Sequence, residues 1–295
     1  MSEPVIGTWP LSGDFGHVEV RSVIETLERC DAAGLRTFDT APNYGQGFME
    51  SLLGRVFAGR PEVRFQTKCG NRPFRGKSFA VDDLKASLEE SLKRLGRDRL
   101  DLLYLHNPRQ IEDWEPVLAW LDSLKTEEVI ASAGLSAAKG YDYPDAVLAR
   151  FDVVQDDANL LYQDALRTRP RNGVRFFARC PLASGILSGR LTPETTFPEG
   201  DHRAGWLKGE RLASLVARVR AIEAIQAQAV ASTARAFLLT HPRIDSVIFG
   251  VKRPEHVDDL VAELRAPALG GEVRTQLEQA YDEDFGLVDQ RHLGY

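Results

Sequence analysis

Cysteine is scarce in this chain of 295 residues: Cys30, Cys69 and Cys180 lie far apart, with no Cys-x-x-Cys spacing. That pattern argues against a disulfide framework and a thiolate zinc site. It reads as free thiols in a reducing compartment, so a cytoplasmic protein is expected. No apolar run is long enough to cross a bilayer. The opening Met1-Ser2-Glu3-Pro4-Val5-Ile6-Gly7 lacks the basic region and apolar core of a secretory leader. An excess of basic charge is missing too: Lys+Arg 37 against Asp+Glu 43 gives a net charge of -6. Neither nucleic acid nor an anionic membrane is therefore an expected partner. Finally, no Gly-x-Gly-x-x-Gly opens a helix after a strand. Tyr44-Gly45-Gln46-Gly47 lacks the third glycine and follows a turn, which argues against an open doubly wound sheet.

What is present is an unbroken alternation of strand-like and helix-like segments, with an ordinary 43% of hydrophobic residues. Short apolar runs at 5–9, 35–39, 63–68, 100–106, 130–136, 152–155, 174–179 and 246–249 read as strands. Helical spacing follows each. The clearest case is 82–95, where Leu84, Leu88, Leu92 and Leu95 line one face and Gly96 stops the helix. Other helices are expected near 18–33, 49–57, 116–126, 144–149, 164–169, 210–227, 231–239, 255–262 and 271–284. Segments 69–79 and 181–209, rich in glycine and proline, read as loops, the second long enough to cover a site. Eight strands, each followed by helix, with no break in composition, predict one α/β domain over 1–295: a (β/α)8 TIM barrel.

In such a barrel the C-terminal strand ends share one face, and sites are built there. Asp39, Lys68 and His106 end three successive strands, and Tyr44 stands on the turn Ala41-Pro42-Asn43-Tyr44-Gly45 after the first of them. A phenol, whose ordinary pKa is about 10, gives up its proton at neutral pH only if its phenolate is stabilised. The Lys68 cation is expected to do that, Asp39 to neutralise the lysine, and His106 to orient a substrate oxygen. Singly each has a plain structural explanation: a cap, a core histidine, a projecting lysine, a packed ring. Together, in order, on adjacent strand ends, they describe a proton-relay site that protonates a developing alkoxide. The site has no electron source, so carbonyl reduction requires hydride from a cofactor.

These residues sit in motifs that resemble the aldo-keto reductase family over nearly the whole chain. Phe38-Asp39-Thr40-Ala41-Pro42-Asn43-Tyr44-Gly45, Gln66-Thr67-Lys68 and Asp101-Leu102-Leu103-Tyr104-Leu105-His106 resemble its signature segments. The resemblance implies an NAD(P)H-dependent oxidoreductase that reduces an aldehyde or ketone, sugar-like substrates included, with Asp39, Tyr44, Lys68 and His106 as the catalytic tetrad. It also implies dinucleotide contacts. Gly7, Thr8 and Trp9 match the first strand end; Ser136 and Gln155 match contacts to the nicotinamide amide; Ala137 stands where an asparagine is usual. Arg179 replaces the tyrosine that stacks on the nicotinamide, and Cys180 and Leu182 flank it. Ser184 and Gly185 match the pyrophosphate loop; Gly250, Lys252, Arg253, His256 and Asp259 match the adenosine-phosphate segment. Lys252 and Arg253, just before a helix, favour NADPH over NADH. Trp9, Tyr44, His106 and Trp206 are the expected substrate walls.

Family members often begin with a β-hairpin that plugs the barrel bottom, and no such hairpin is expected here. A small carbonyl or alcohol is the expected partner, no metal is expected, and polar helix faces suggest a monomer. Two other readings stand beside the first: a nucleotide-binding relative that acts as a sensor or regulatory subunit with little turnover, and a metal-dependent barrel hydrolase or isomerase using Asp39, His106 and Asp156. Arg72, Arg75, Lys77 and Arg109 lie on loops of the same face and read either as solvated surface or as a site for an anionic substrate. Asp156 and Asp157 are left between sugar hydroxyls and flanking backbone.

Overall fold

The computed structural model describes residues 4–109, 111–168, 173–226, 228–287 and 290–295. Its barrel strands are β1 (Val5–Gly7), β2 (Thr37–Asp39), β3 (Arg64–Cys69), β6 (Leu102–His106), β7 (Ala133–Ser136), β8 (Val153–Asp157), β9 (Arg175–Arg179) and β10 (Ser246–Gly250). All pair in parallel, in the closed order β1-β10-β9-β8-β7-β6-β3-β2. The helices are α1 (Val20–Ala32), α2 (Phe48–Val56), α3 (Val81–Leu95), α4 (Glu115–Thr126), α5 (Asp145–Leu148), α6 (Asp164–Thr168), α7 (Gly209–Ile225), α8 (Val230–Leu239), α9 (Pro254–Leu264) and α10 (Gly271–Asp282). The expected (β/α)8 barrel is thus what the chain forms. The expected helix ends at Arg169 and Ala227, and residues 1–3, lie outside the described residues.

Two expected loops contain more than loop. Between β3 and α3 runs a two-stranded antiparallel hairpin, β4 (Asn71–Arg72) and β5 (Gly76–Lys77). Segment 181–209 holds 3-10 turns at Ala183–Ser188 and His202–Gly205. Both were missed because they are too short to show any periodicity.

Strand parity places the site. Side chains alternate between the two faces of a strand. In β6, Leu103 and Leu105 join the large core between strands and helices, while Leu102 and Tyr104 join the small cluster inside the barrel with Val5, Val153, Phe177 and Ile248. His106 has the parity of Tyr104, so it faces inward at the mouth. By the same count Asp39 and Arg179 end their strands facing inward, two residues beyond Thr37 and Phe177, and Gln155 faces inward within β8, two residues beyond Val153. Gly134 makes room for Tyr104 below them: a Cβ there would lie 2.4 Å from the tyrosine ring.

Outside the barrel, α2 and α3 are locked to β3. The buried Glu50 carboxylate accepts from Thr67 Oγ1 at 2.6 Å and from Arg94 Nε at 2.7 Å. The helices touch at Gly54, where a Cβ would come 2.3 Å from the Arg94 carbonyl oxygen. On the far side, the buried Arg218 of α7 binds Asp284 and the Gln290 carbonyl, tying the C-terminal tail down.

Candidate active site

Lys68 is 1% exposed, and a buried cation is tolerated only with close partners. Its Nζ donates to Asp39 Oδ1 at 2.6 Å, to the Thr40 carbonyl at 2.8 Å and to the Tyr44 hydroxyl at 3.2 Å. Burial alone would lower the lysine's pKa, but Asp39 and Tyr44 outweigh it and hold the pKa above its ordinary value. For Tyr44 the balance falls the other way. Burial raises its pKa more than Lys68 lowers it, so the phenol is held protonated. The sequence reading expected the lysine to prevail; desolvation of the phenolate is the larger effect.

The Tyr44 ring meets His106 edge-on, centroids 6.2 Å apart, and stacks near Trp9 at 6.1 Å. Burial first, then the cations Lys68, Arg179 and Lys77, push His106 well below 6.5, so its imidazole is neutral. Its Nδ1 is buried with no hydrogen-bond partner. Trp9 is fixed by donating its indole N–H to Asp14 at 2.7 Å.

From Asp39 a chain of hydrogen bonds crosses the barrel mouth. Gln155 Nε2 donates to Asp39 Oδ2 at 2.9 Å, and Ser136 Oγ donates to Gln155 Oε1 at 3.0 Å. Arg179 Nη1 donates to Ser136 Oγ at 2.8 Å, Nη2 to the Ala137 carbonyl at 2.8 Å, and Nε to Asp157 at 2.6 Å. The guanidinium is held in one orientation by these bonds. They also account for the acidic pair of β8: Asp157 is the partner of Arg179, and Asp156 lies 3.8 Å from the guanidinium while accepting from the Asp157 amide.

Above this chain opens a cleft of about 620 Å³. Trp9, Tyr44, His106, Ser136, Gln155, Arg179, Cys180, Ser184 and Trp206 of the expected set line it. Asp39 and Lys68 are buried beneath it, and Gly7, Thr8, Leu182, Gly185, Gly250, Lys252, Arg253, His256 and Asp259 do not line it. Thr8 is buried, with amide and hydroxyl both on the Asp39 carbonyl, so it fixes the strand end that carries the carboxylate. Gly7 and Gly250 are cross-strand neighbours. A Cβ on either would meet a side chain at 2.9 Å, Ile248 in one case and Pro10 in the other. Leu182 and Gly185 belong to the turn that carries Ser184. Lys252, Arg253 and His256 lie at the N-terminus of α9: Lys252 Nζ donates to the Phe15 carbonyl at 2.6 Å, and Arg253 meets His256 at 3.2 Å. Asp259 is exposed farther along the same helix.

Lys139, His202 and Tyr295 also line the cleft, outside the expected set, with Tyr162 and Arg203 beside them. Lys139 lies 3.6 Å over the Tyr295 ring and 4.6 Å over that of Tyr162, and the His202 ring lies against Trp9, tilted by 40° with centroids 4.8 Å apart. Arg203 donates to the Ser184 carbonyl beside the Gly185 turn. They come from unpatterned loops and from the tail, so only the basic and aromatic residue types could have flagged them. Asp39, His106 and Asp156 are not gathered as metal ligands: among the described residues no three His, Cys, Asp or Glu side chains are placed to hold an ion.

The model of the Aldo/keto reductase family matches residues 5–282. The chain is 23% identical to the NADH-specific methylglyoxal reductase of Escherichia coli, covering 90% of both chains. It is 30% identical to a D-threo-aldose 1-dehydrogenase of a Pseudomonas species, over 77% of this chain and 78% of that one. Its structure resembles the glycerol dehydrogenase of Gluconobacter oxydans with a TM-score of 0.79 at 20% identity, over 95% of this chain and 91% of the other. With a closed parallel barrel, an inward-facing ring of polar strand ends and a family match across almost its full length, this chain belongs to the aldo/keto reductase family of oxidoreductases.

Proposed function

We propose that this protein is an NAD(P)H-dependent reductase of aldehydes or ketones, working as one barrel domain in the cytoplasm and also able to run as an alcohol or sugar dehydrogenase. One observation carries the reading: the buried Lys68 ammonium touches both Asp39 and the Tyr44 hydroxyl, with His106 beside the same phenol in an open cleft. Tyr44 donates the proton to the carbonyl oxygen as it becomes an alkoxide. Lys68 stabilises the phenolate left behind, and Asp39 keeps the lysine charged and fixed. The phenol is protonated before the reaction, so the acid is loaded when substrate arrives. Neutral His106 presents a hydrogen-bond donor to the same oxygen and adds no charge.

The residues also suit a dinucleotide. Ser136, Gln155 and Arg179 would hold the carboxamide end. The turn at Ser184 and Gly185, with φ of 56° and 91° and Arg203 alongside, suits a pyrophosphate. Lys252 and Arg253 at the start of α9 would take an adenosine phosphate, which favours NADPH over NADH. When bound, the reduced nicotinamide supplies the hydride. Mixing purified protein with NADPH or NADH and a panel of carbonyls, and following cofactor oxidation, tests the proposal. No oxidation with either cofactor, beside clear cofactor binding, would leave a nucleotide-binding protein and sink the enzyme reading.

A further inference from the structure

The charges lining the cleft do not cancel. Its two carboxylates are engaged: Asp14 accepts from the Trp9 indole, and Asp157 binds Arg179. Three other cations line it, Lys77, Lys139 and Arg211, and among the described residues none of these forms a hydrogen bond or ion pair through its side chain. Lys139 lies against Tyr295 and near Cys180, on the side of the Ser184 turn, where a dinucleotide's phosphates would reach it. Lys77 is on the other side. It shares the cleft with His106, Asn71 and Asn107, and forms the ridge to a second cavity that Arg109 also lines.

The ridge is built to stay in place. At its base Arg72 binds Glu90 on α3 and lies 3.5 Å from Asp83. Ser78 donates its amide to the Gly70 carbonyl at 3.1 Å and its hydroxyl to Asp83 at 2.6 Å. Phe74 at the tip donates its amide to Gln46 at 3.0 Å. Gly70 lies so near Phe79 that a Cβ would stand 2.3 Å from its ring. Arg72, one of the basic loop residues, is thus spent on anchoring, whereas Lys77 is held out over the site. Lys77 remains exposed to solvent; its partial burial and the neighbouring Arg109 both lower its pKa, and its charge in turn helps lower that of His106. Two like charges stand together beside the reactive end of the cleft. Glu112 and Asp113 line the second cavity with them, but among the described residues neither cation forms an ion pair, and only Lys77 of the four reaches the cleft that holds His106.

We propose that Lys77, supported by Arg109, binds the anionic group of the substrate, so that the preferred substrate is a carbonyl compound carrying a carboxylate. This rests on the reductase reading above and names its substrate class. An ammonium on a fixed ridge gains a charge-assisted hydrogen bond only when an anion arrives.

The test is a charge series on one frame: benzaldehyde, 4-carboxybenzaldehyde and 4-(trimethylammonio)benzaldehyde, each assayed for kcat/KM with NADPH. The wild-type protein is expected to favour the carboxylate over the neutral compound by about tenfold, through KM, and to disfavour the cation. Lys77→Gln should bring the carboxylate-to-neutral ratio to about one, Lys77→Arg should restore it, and Arg109→Gln should lower it by less. Titrating benzoate and benzamide into the protein, with and without NADPH, reads the same preference without turnover. Equal handling of the three aldehydes by the wild type, or a ratio that Lys77→Gln leaves in place, overturns the inference while the reductase reading stands. If no aldehyde is turned over, the reductase reading fails, and the titration alone decides whether the cleft selects anions.

Discussion

The barrel mouth and the start of α9 are both polar, yet they are built on opposite plans. At the mouth, Lys68, Asp39, Gln155 and Ser136 are almost fully buried, and each is tied to the next by a hydrogen bond. At α9, Lys252 is half-buried and Arg253 exposed, and their side-chain bonds go to a loop carbonyl and to one histidine. The first region is organised before anything binds, because a buried charge without its partner is very costly. The second leaves its charges in contact with water, where they can turn to a phosphate at less cost. The contrast suits a protein whose chemistry needs fixed geometry and whose grip on a long ligand needs only charge near a helix N-terminus.

Removing the cation at the centre of the buried chain should show the difference most strongly. Lys68→Met leaves Asp39 buried without its partner and is expected to cost about 3–5 kcal/mol of stability, read by denaturant unfolding. Unfolding at the wild-type midpoint would mean that the pair is not integral to the fold. Tyr44→Phe removes only a hydroxyl. Carbonyl reduction should fall by about a hundred- to ten-thousand-fold, while NADPH affinity by fluorescence titration stays near the wild-type value. Full activity in this variant would transfer the acid's role elsewhere.

Acidification probes the mouth from another side. His106 is held well below 6.5 in the fold but titrates normally once unfolded, so the unfolded chain binds the proton first as pH falls. Stability from this group is present above 6.5 and is lost below it, at about 1.4 kcal/mol per pH unit. His241, pushed down to about 4 mainly by burial, adds a like slope. His106→Asn should therefore flatten, but not abolish, the fall in melting temperature between pH 6.5 and 5. An unchanged slope would place the histidine in water. Arg253→Ala is expected to have the smallest effect, weakening NADPH by about tenfold at low salt and less at high salt, with melting temperature unmoved. Equal loss for NADH would take the adenosine phosphate away from this residue.

A third region supports the contrast through packing alone. The buried Glu50 and the tight crossing at Gly54 hold α2 against α3. Both lie behind the turn that carries Tyr44, since α2 starts four residues beyond it, at Phe48. Gly54→Ala would press a methyl group on the Arg94 backbone and cost about 1–3 kcal/mol.

Much of this was legible in the residue pattern. Short apolar runs and period-3.6 segments separate strands from helices without reference to anything distant, and eight alternations leave few topologies open. Asp39, Lys68 and His106 could be aligned because each ends an apolar run, and Tyr44 because Pro42 and Gly45 mark the turn it stands on. What the pattern could not supply was partnership. Arg179 read as an isolated replacement for an aromatic ring, yet it joins Asp157 to Ser136 across three strands. Lys77 read as one of four loop charges until the hairpin separated it from Arg72.

The sequence alone therefore determined the eight strands to within a few residues at their ends, their order around a barrel and the side chains they carry, because those follow from local pattern and chain direction. Only the tertiary structure decided that burial outweighs Lys68 at the Tyr44 phenol, that Gln155 reaches Asp39 across 116 positions of chain, and which cations line the cleft. Those outcomes depend on solvent exclusion and on contacts between distant segments, and neither is written in any stretch of neighbouring residues.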